Sequence, residues 1–152
     1  RRMHLARFTA EEAAAKAVEL KARGTADYGE QSWSAAACKY SCAADYASSS
    51  KDRGLLSSLQ LNEAQCRLKM SDAHQAVELC SRVLERDPSN VKGLYRRALA
   101  HSQLTEYGAA MTDLLAAARV EPNNRAVRVE LQKCRAAAAS ERAKEKRVAA
   151  AM

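Results

Sequence analysis

The chain has 152 residues, 47% of them hydrophobic and 28% charged, with a formal net charge of +7. That length suits one domain able to bury roughly two-thirds of its unfolded surface, and a composition rich in Ala, Leu, Lys, Arg and Glu but poor in Gly, Pro and β-branched residues argues against a sheet protein. No stretch approaches the ~18 apolar residues of a membrane span, and the opening RRMHLARFTAEE lacks an apolar run of signal-peptide length. Five cysteines, an odd number at spacings that repeat no disulfide framework, predict a reduced, intracellular protein; the expected location is the cytoplasm, with the nucleus besides. Cys38 and Cys42 lie four apart, but no second Cys/His pair stands near to complete a zinc site, so they are read as core packing. No cofactor or metal is expected.

In chain order the apolar periodicity predicts seven helices, at about 10–28, 31–48, 52–69, 72–86, 90–104, 107–120 and 123–150. Thr9 and Glu12 form a capping-box pattern ahead of the first, and Ser71 or Asp72 is placed to cap the fourth. The turns RDPSN and VEPNN carry Pro88 and Pro122, thirty-four residues apart, which is the period of a tetratricopeptide helix–turn–helix repeat. In register with them, small residues recur at Ala64 and Ala98, at Ala76 and Ala110, and at Val83 and Ala117, with Cys80 opposite Leu114. Small residues let two helices cross closely, and larger ones fill the gap where they diverge. A third copy without a closing proline lies upstream, with Gly24, Ala36 and Tyr40 at the matching places; about six extra residues around ADYASSSKDRG lengthen the helices between it and the second copy.

The expected architecture is therefore all-α: three tetratricopeptide repeats (about 10–48, 52–88 and 90–122) wound as a right-handed solenoid, then a capping helix with a basic tail over 123–152. Residues 1–9 are read as a linker from an upstream domain. The last helix has apolar positions at Val127, Leu131 and Cys134 to cover the third pair, as terminal elements of solenoids must. Beyond Arg135 its apolar stripe fades and it should project into solvent. Eight basic and three acidic residues fall between Arg125 and Arg147, which raises the prior for an anionic partner.

The first helix of each pair lines the concave face of such a solenoid, where extended peptides bind. Repeat register places Lys21, Asn62, Lys92 and Arg96 on that face, the last two sharing one helix side by their four-residue spacing. Arg97 points elsewhere and is read as a surface or salt-bridge residue. His101 is assigned to packing within its helix pair, and Trp33 and Tyr107, each just after a turn, to structural roles.

The segments KARGT (21–25), LNEAQCRLKM (61–70) and NVKGLYRRALAH (90–101), with the basic tail ending EKRVAAAM, resemble the tetratricopeptide domain of the large FKBP-type immunophilins over nearly the whole chain. The resemblance implies a co-chaperone module whose carboxylate clamp binds the acidic EEVD-type tail of heat shock protein 90, and in some members heat shock protein 70. It implies that Lys21 and Asn62 hold the terminal carboxylate and the last aspartate, that Lys92 and Arg96 hold that aspartate and backbone groups further up, and that Tyr28 and Gln65 form groove wall. Thr25 stands where the family carries asparagine; a hydroxyl can still donate, giving a weaker contact.

Among alternatives, an enzyme is disfavoured. The peptidyl-prolyl isomerase domain of that family is β-rich and would precede this segment, and the chain carries no nucleophile motif, no carboxylate–histidine pair and no phosphate-binding glycine loop. The parent protein of such a segment could still be an isomerase through a separate domain. The groove could serve a different acidic partner, and the basic tail could bind calmodulin, although Val148 and Met152 are nearly its only large apolar anchors and a solvated helix end is favoured. Nucleic acid is disfavoured because the cations lack interleaved aromatics.

Overall fold

The computed structural model describes residues 8–152, and among them seven helices and no strand. They are α1 (Ala10–Gly29), α2 (Trp33–Ala47), α3 (Arg53–Lys69), α4 (Ala73–Arg86), α5 (Val91–Gln103), α6 (Tyr107–Val120) and α7 (Arg125–Ala151). Each packs on its neighbours in sequence, and α3 also touches α5, so the first helices of the second and third pairs stand side by side. The expected helix ends lie within two residues of those observed. Of the expected linker, residues 1–7 lie outside the described residues.

The two kinds of turn are built differently. Leading into α3, α5 and α7, the side chains of Asp52, Asn90 and Asn124 accept from the backbone N–H of Leu55 (3.0 Å), Gly93 (2.9 Å) and Val127 (3.2 Å), which satisfies one orphan donor per helix start. The tight turns inside each pair close from the other side. Gln31, Ser71 and Thr105 hold left-handed backbone at φ 61°, 58° and 58°. The following N–H of Ser32, Asp72 and Glu106 reaches back to the carbonyl of Asp27, Arg67 and His101 at 2.9, 2.8 and 2.8 Å, the six-to-one bond of a Schellman motif. The expected cap of α4 is therefore corrected. Ser71 is the left-handed residue, and the Asp72 side chain makes no capping bond because its carboxylate turns to Arg67 at 3.4 Å. At α1 the Thr9–Glu12 capping box is present.

The repeat register holds in the core. Gly24, Ala64 and Ala98 are buried, as are Ala36, Ala76 and Ala110, and Tyr40, Cys80 and Leu114. At Gly24 the first pair packs so closely that an added Cβ would lie 3.0 Å from the Tyr40 ring. The extra residues between the first and second repeats are one in α2, one in the loop and four at the start of α3, as comparison with α4, its loop and α5 shows. Those four carry α3 beyond α5 and bring Arg53 to its first position. Val127, Leu131 and Cys134 of α7 are buried against the third pair, while every residue after Glu141 is exposed. Cys38, read as core, is exposed, and Cys42 is half-buried. Both stand on α2, the outer helix of the first pair, where Ala36, Ala37, Tyr40 and Ala43 supply the buried face.

Candidate peptide-binding groove

The side chains of α1, α3 and α5 open onto two adjoining hollows. The narrower, about 210 Å³, is lined by Thr25, Tyr28, Tyr40, Asn62, Gln65 and Arg96. The wider, about 460 Å³, takes Asn62 and Arg96 on one side, Lys92 and Asn90 at the start of α5, and Arg53, Ser57 and Ser58 from α3, with Arg86 and Asp87 closing it from the end of α4. Six of the seven residues expected in the groove thus line one hollow or the other. Lys21 lines neither; it is half-buried one turn before Thr25 on the same side of α1.

Arg96 is held in place before any ligand arrives. Its Nη1 donates to the Leu61 carbonyl at 2.8 Å, fixing one arm of the fork and leaving the other donors to the groove. Burial pushes its pKa below the ordinary guanidinium value, the mark of a charge stripped of water and without a carboxylate to offset it. Arg97 faces the other way. It grips Asp113 with two bonds of 2.8 and 2.7 Å, donates to Ser81 at 3.2 Å, and its pKa is raised by the Asp113 hydrogen bond. Two adjacent arginines thus do different work, one neutralised inside the helix pair and the other offered to the groove. His101 sits within that pair, 3.2 Å from Glu106.

Thr25 is the residue whose geometry differs from expectation. Its Oγ1 donates to the Lys21 carbonyl at 2.9 Å, so its single proton is spent on its own helix. The Tyr40 hydroxyl, 2.9 Å away, then donates to Oγ1, and Thr25 offers the narrow hollow an acceptor rather than a donor. Tyr40 itself is a groove residue that sequence reasoning assigned wholly to the core. Its ring is buried against Gly24 while its hydroxyl reaches the hollow, and burial raises its pKa. Tyr28 stands edge-on to Trp33 at 4.8 Å, with the Lys69 ammonium 5.5 Å from the Trp33 centroid, so Trp33 braces a groove wall as well as the turn.

Arg53 and Arg86 were also missed. Arg86 donates to Ser57 at 3.1 Å and to Gln60; Arg53 donates to the Ser48 carbonyl at 3.1 Å and to that of Ser50. Repeat register is silent about both, because Arg53 lies in the inserted residues and Arg86 ends an outer helix.

No family model matches the chain. It is 31% identical over 154 aligned residues to human "Peptidyl-prolyl cis-trans isomerase FKBP4", covering 95% of this chain and 34% of that protein. The chain thus spans about a third of the length of that relative. Among solved structures, the C-terminal tetratricopeptide domain of a putative Plasmodium falciparum FK506-binding protein superposes with a TM-score of 0.75 at 26% identity, covering 94% of this chain and 98% of that one. The myosin chaperone UNC-45 of C. elegans, solved in complex with an Hsp90 peptide, matches with a TM-score of 0.71 at 32% identity over 80% of this chain and 14% of its own. Over most of its length this chain is homologous to FKBP-type immunophilins, and its structural neighbours are tetratricopeptide-repeat domains.

Proposed function

We propose that this tetratricopeptide domain, related to those of the FKBP-type immunophilins, docks the acidic EEVD-type C-terminal tail of heat shock protein 90, and secondarily that of heat shock protein 70, by clamping its terminal carboxylates. The observation that carries the reading is the shared wall of the two hollows. Asn62 and Arg96 line both, so one residue of a ligand can place one anionic group on each side of them. A chain terminus that ends in aspartate carries two carboxylates on one residue, which suits that arrangement. Charge-assisted bonds to them from Arg96, Lys92 and Lys21 are of the strong kind, and the partial desolvation of Arg96 strengthens its attraction. Asn62 supplies an amide donor, and Tyr28 with Gln65 an adjoining wall for a side chain further up the tail.

The likeness to UNC-45 supports this reading, because that protein was solved holding an Hsp90 peptide at 32% identity to this chain. The chain itself is proposed to bind rather than catalyse, and any isomerase activity of a longer protein would belong to a separate domain. Cytoplasm, with the nucleus besides, is the proposed location. For calmodulin, the exposed Val148 and Met152 are the only large apolar anchors on the described tail, too few to favour that partner.

The test is calorimetric titration with the peptide MEEVD carrying either a free or an amidated C-terminus. A clamp requires amidation to weaken binding at least tenfold, and Arg96→Ala to cost about 2 kcal/mol or more of binding free energy. Equal affinity for the two peptides rejects the clamp.

A further inference from the structure

The wider hollow holds more positive charge than a two-carboxylate clamp needs. Lys92, Arg96, Arg53 and Arg86 all line it, and Asp87 is the only acidic residue in its lining. Elsewhere on the scaffold, cations find carboxylates: Arg97 takes Asp113, Arg67 takes Glu63 and Asp72, Arg82 takes Glu78, and Lys39 takes Asp27. Among the described residues none of the four around the hollow makes an ion pair. Arg86 bonds a hydroxyl and an amide, while Arg53 and Arg96 bond backbone carbonyls. All of those acceptors are neutral. The Arg86 pKa is lowered first by burial and then by the charge of Arg53, so two like charges are held close enough to repel.

We propose that Arg53 and Arg86, with Ser57 and Ser58 of the same lining, form a second anion subsite that takes an acidic side chain of the same tail whose terminal carboxylate is clamped beside it. This rests on the clamp reading and extends it, from recognition of a chain end to recognition of a chain end that bears a further acid. Contiguity supports it, since the two hollows adjoin and share Asn62 and Arg96 in their linings. A carboxylate there relieves the Arg53–Arg86 repulsion and can be received by guanidinium donors in a fork, a geometry that lysine would not supply. The subsite is a product of the insertion. Arg53 is the first residue of α3, reached only because that helix is four residues longer at its start than α5.

The structural role of these arginines, capping α2 and bridging α3 to α4, predicts something different, and a double-mutant cycle separates the two. Arg53→Gln with Arg86→Gln keeps amide donors and removes both charges. Two free-terminus peptides are titrated against this variant and the parent: MEEVD, and MQQVN, which retains the terminal carboxylate but no acidic side chain. The subsite predicts that the double variant binds MEEVD about tenfold more weakly, as for loss of two charge partners, and MQQVN as the parent does. Arg86→Lys, with Arg53 intact, should recover part of the loss. Equal affinities of parent and variant for MEEVD, or the same loss for both peptides, overturns the proposal. A thermal melt establishes that the variant is folded before either peptide is added. The clamp is judged by amidated MEEVD on the parent, so the two readings fail separately. If amidation has no effect while the cycle still couples, the clamp is lost and the acidic subsite stands.

Discussion

At the scale of single residues, the pair Arg96 and Arg97 shows how one peptide bond separates binding from folding. Asp113 is almost fully buried, and the Arg97 guanidinium is its bidentate partner. Removing that partner leaves a buried carboxylate with only His101, 3.9 Å away, beside it in the third helix pair, a change that costs about 3 kcal/mol. Arg97→Ala is therefore expected to lower stability by about that amount in urea unfolding while leaving the affinity for an acidic tail within twofold of the parent. Arg96→Ala is expected to do the reverse, because its side chain bonds only one backbone carbonyl of the fold. Equal effects of the two substitutions on either measurement would contradict the assignment of faces. The thiols obey the same logic of burial. Those of Cys66 and Cys80 are pushed up to about 11 and about 12, mainly by desolvation, which leaves them protonated and inert at neutral pH.

At the scale of elements, the turn within each pair is unusual in using no glycine. Gln31, Ser71 and Thr105 occupy equivalent places, all at φ near 60°, where a side chain strains the backbone and a β-branched one strains it most. Among the described residues the Thr105 hydroxyl finds no hydrogen-bond partner to offset this, and the residue is exposed. Thr105→Gly should then raise stability by about 1 kcal/mol, read as a higher urea midpoint with an unchanged slope. A lower midpoint would mean that the threonine makes a contact worth more than the strain. These turns also show what the sequence left unread. The helix boundaries and the buried small residues were legible because they recur at thirty-four residues and because prolines mark two of the turns. The left-handed positions were not, since Gln, Ser and Thr share no turn signature. Arg53 and Arg86 were invisible for a related reason, because the period that located Lys92 and Arg96 says nothing about an insertion or about an outer helix whose last residue lines the groove. Thr25 was located correctly and misjudged chemically, as only the Lys21 carbonyl at 2.9 Å reveals where its proton goes.

At the scale of the whole molecule, stability should be graded along the solenoid. Three clusters of buried residues follow one another: the first joins α1, α2 and α3, the second α3, α4 and α5, and the third α5, α6 and α7 with the end of α4. In such a stack each helix is secured by its nearest neighbours, so inner elements are held from both sides and terminal ones from one. α7 divides further. Its first three turns bury Val127, Leu131 and Cys134, whereas the part beyond Arg135 buries no side chain fully and exposes Val148 and Met152. An alanine-rich helix of that length is marginal in water without packing. Native-state hydrogen exchange is expected to show the slowest amides in α3, α4 and α5, intermediate protection in α1 and the start of α7, and almost none after Arg135. The groove residues Asn62, Lys92 and Arg96 would then sit on the most protected helices, with Lys21 and Thr25 on a less stable flank. Adding MEEVD should slow exchange in α1 more than in α3 or α5, because ligand contacts tie the weaker flank to the stronger centre. Uniform protection across all seven helices without peptide would show a single cooperative unit and refute the graded picture.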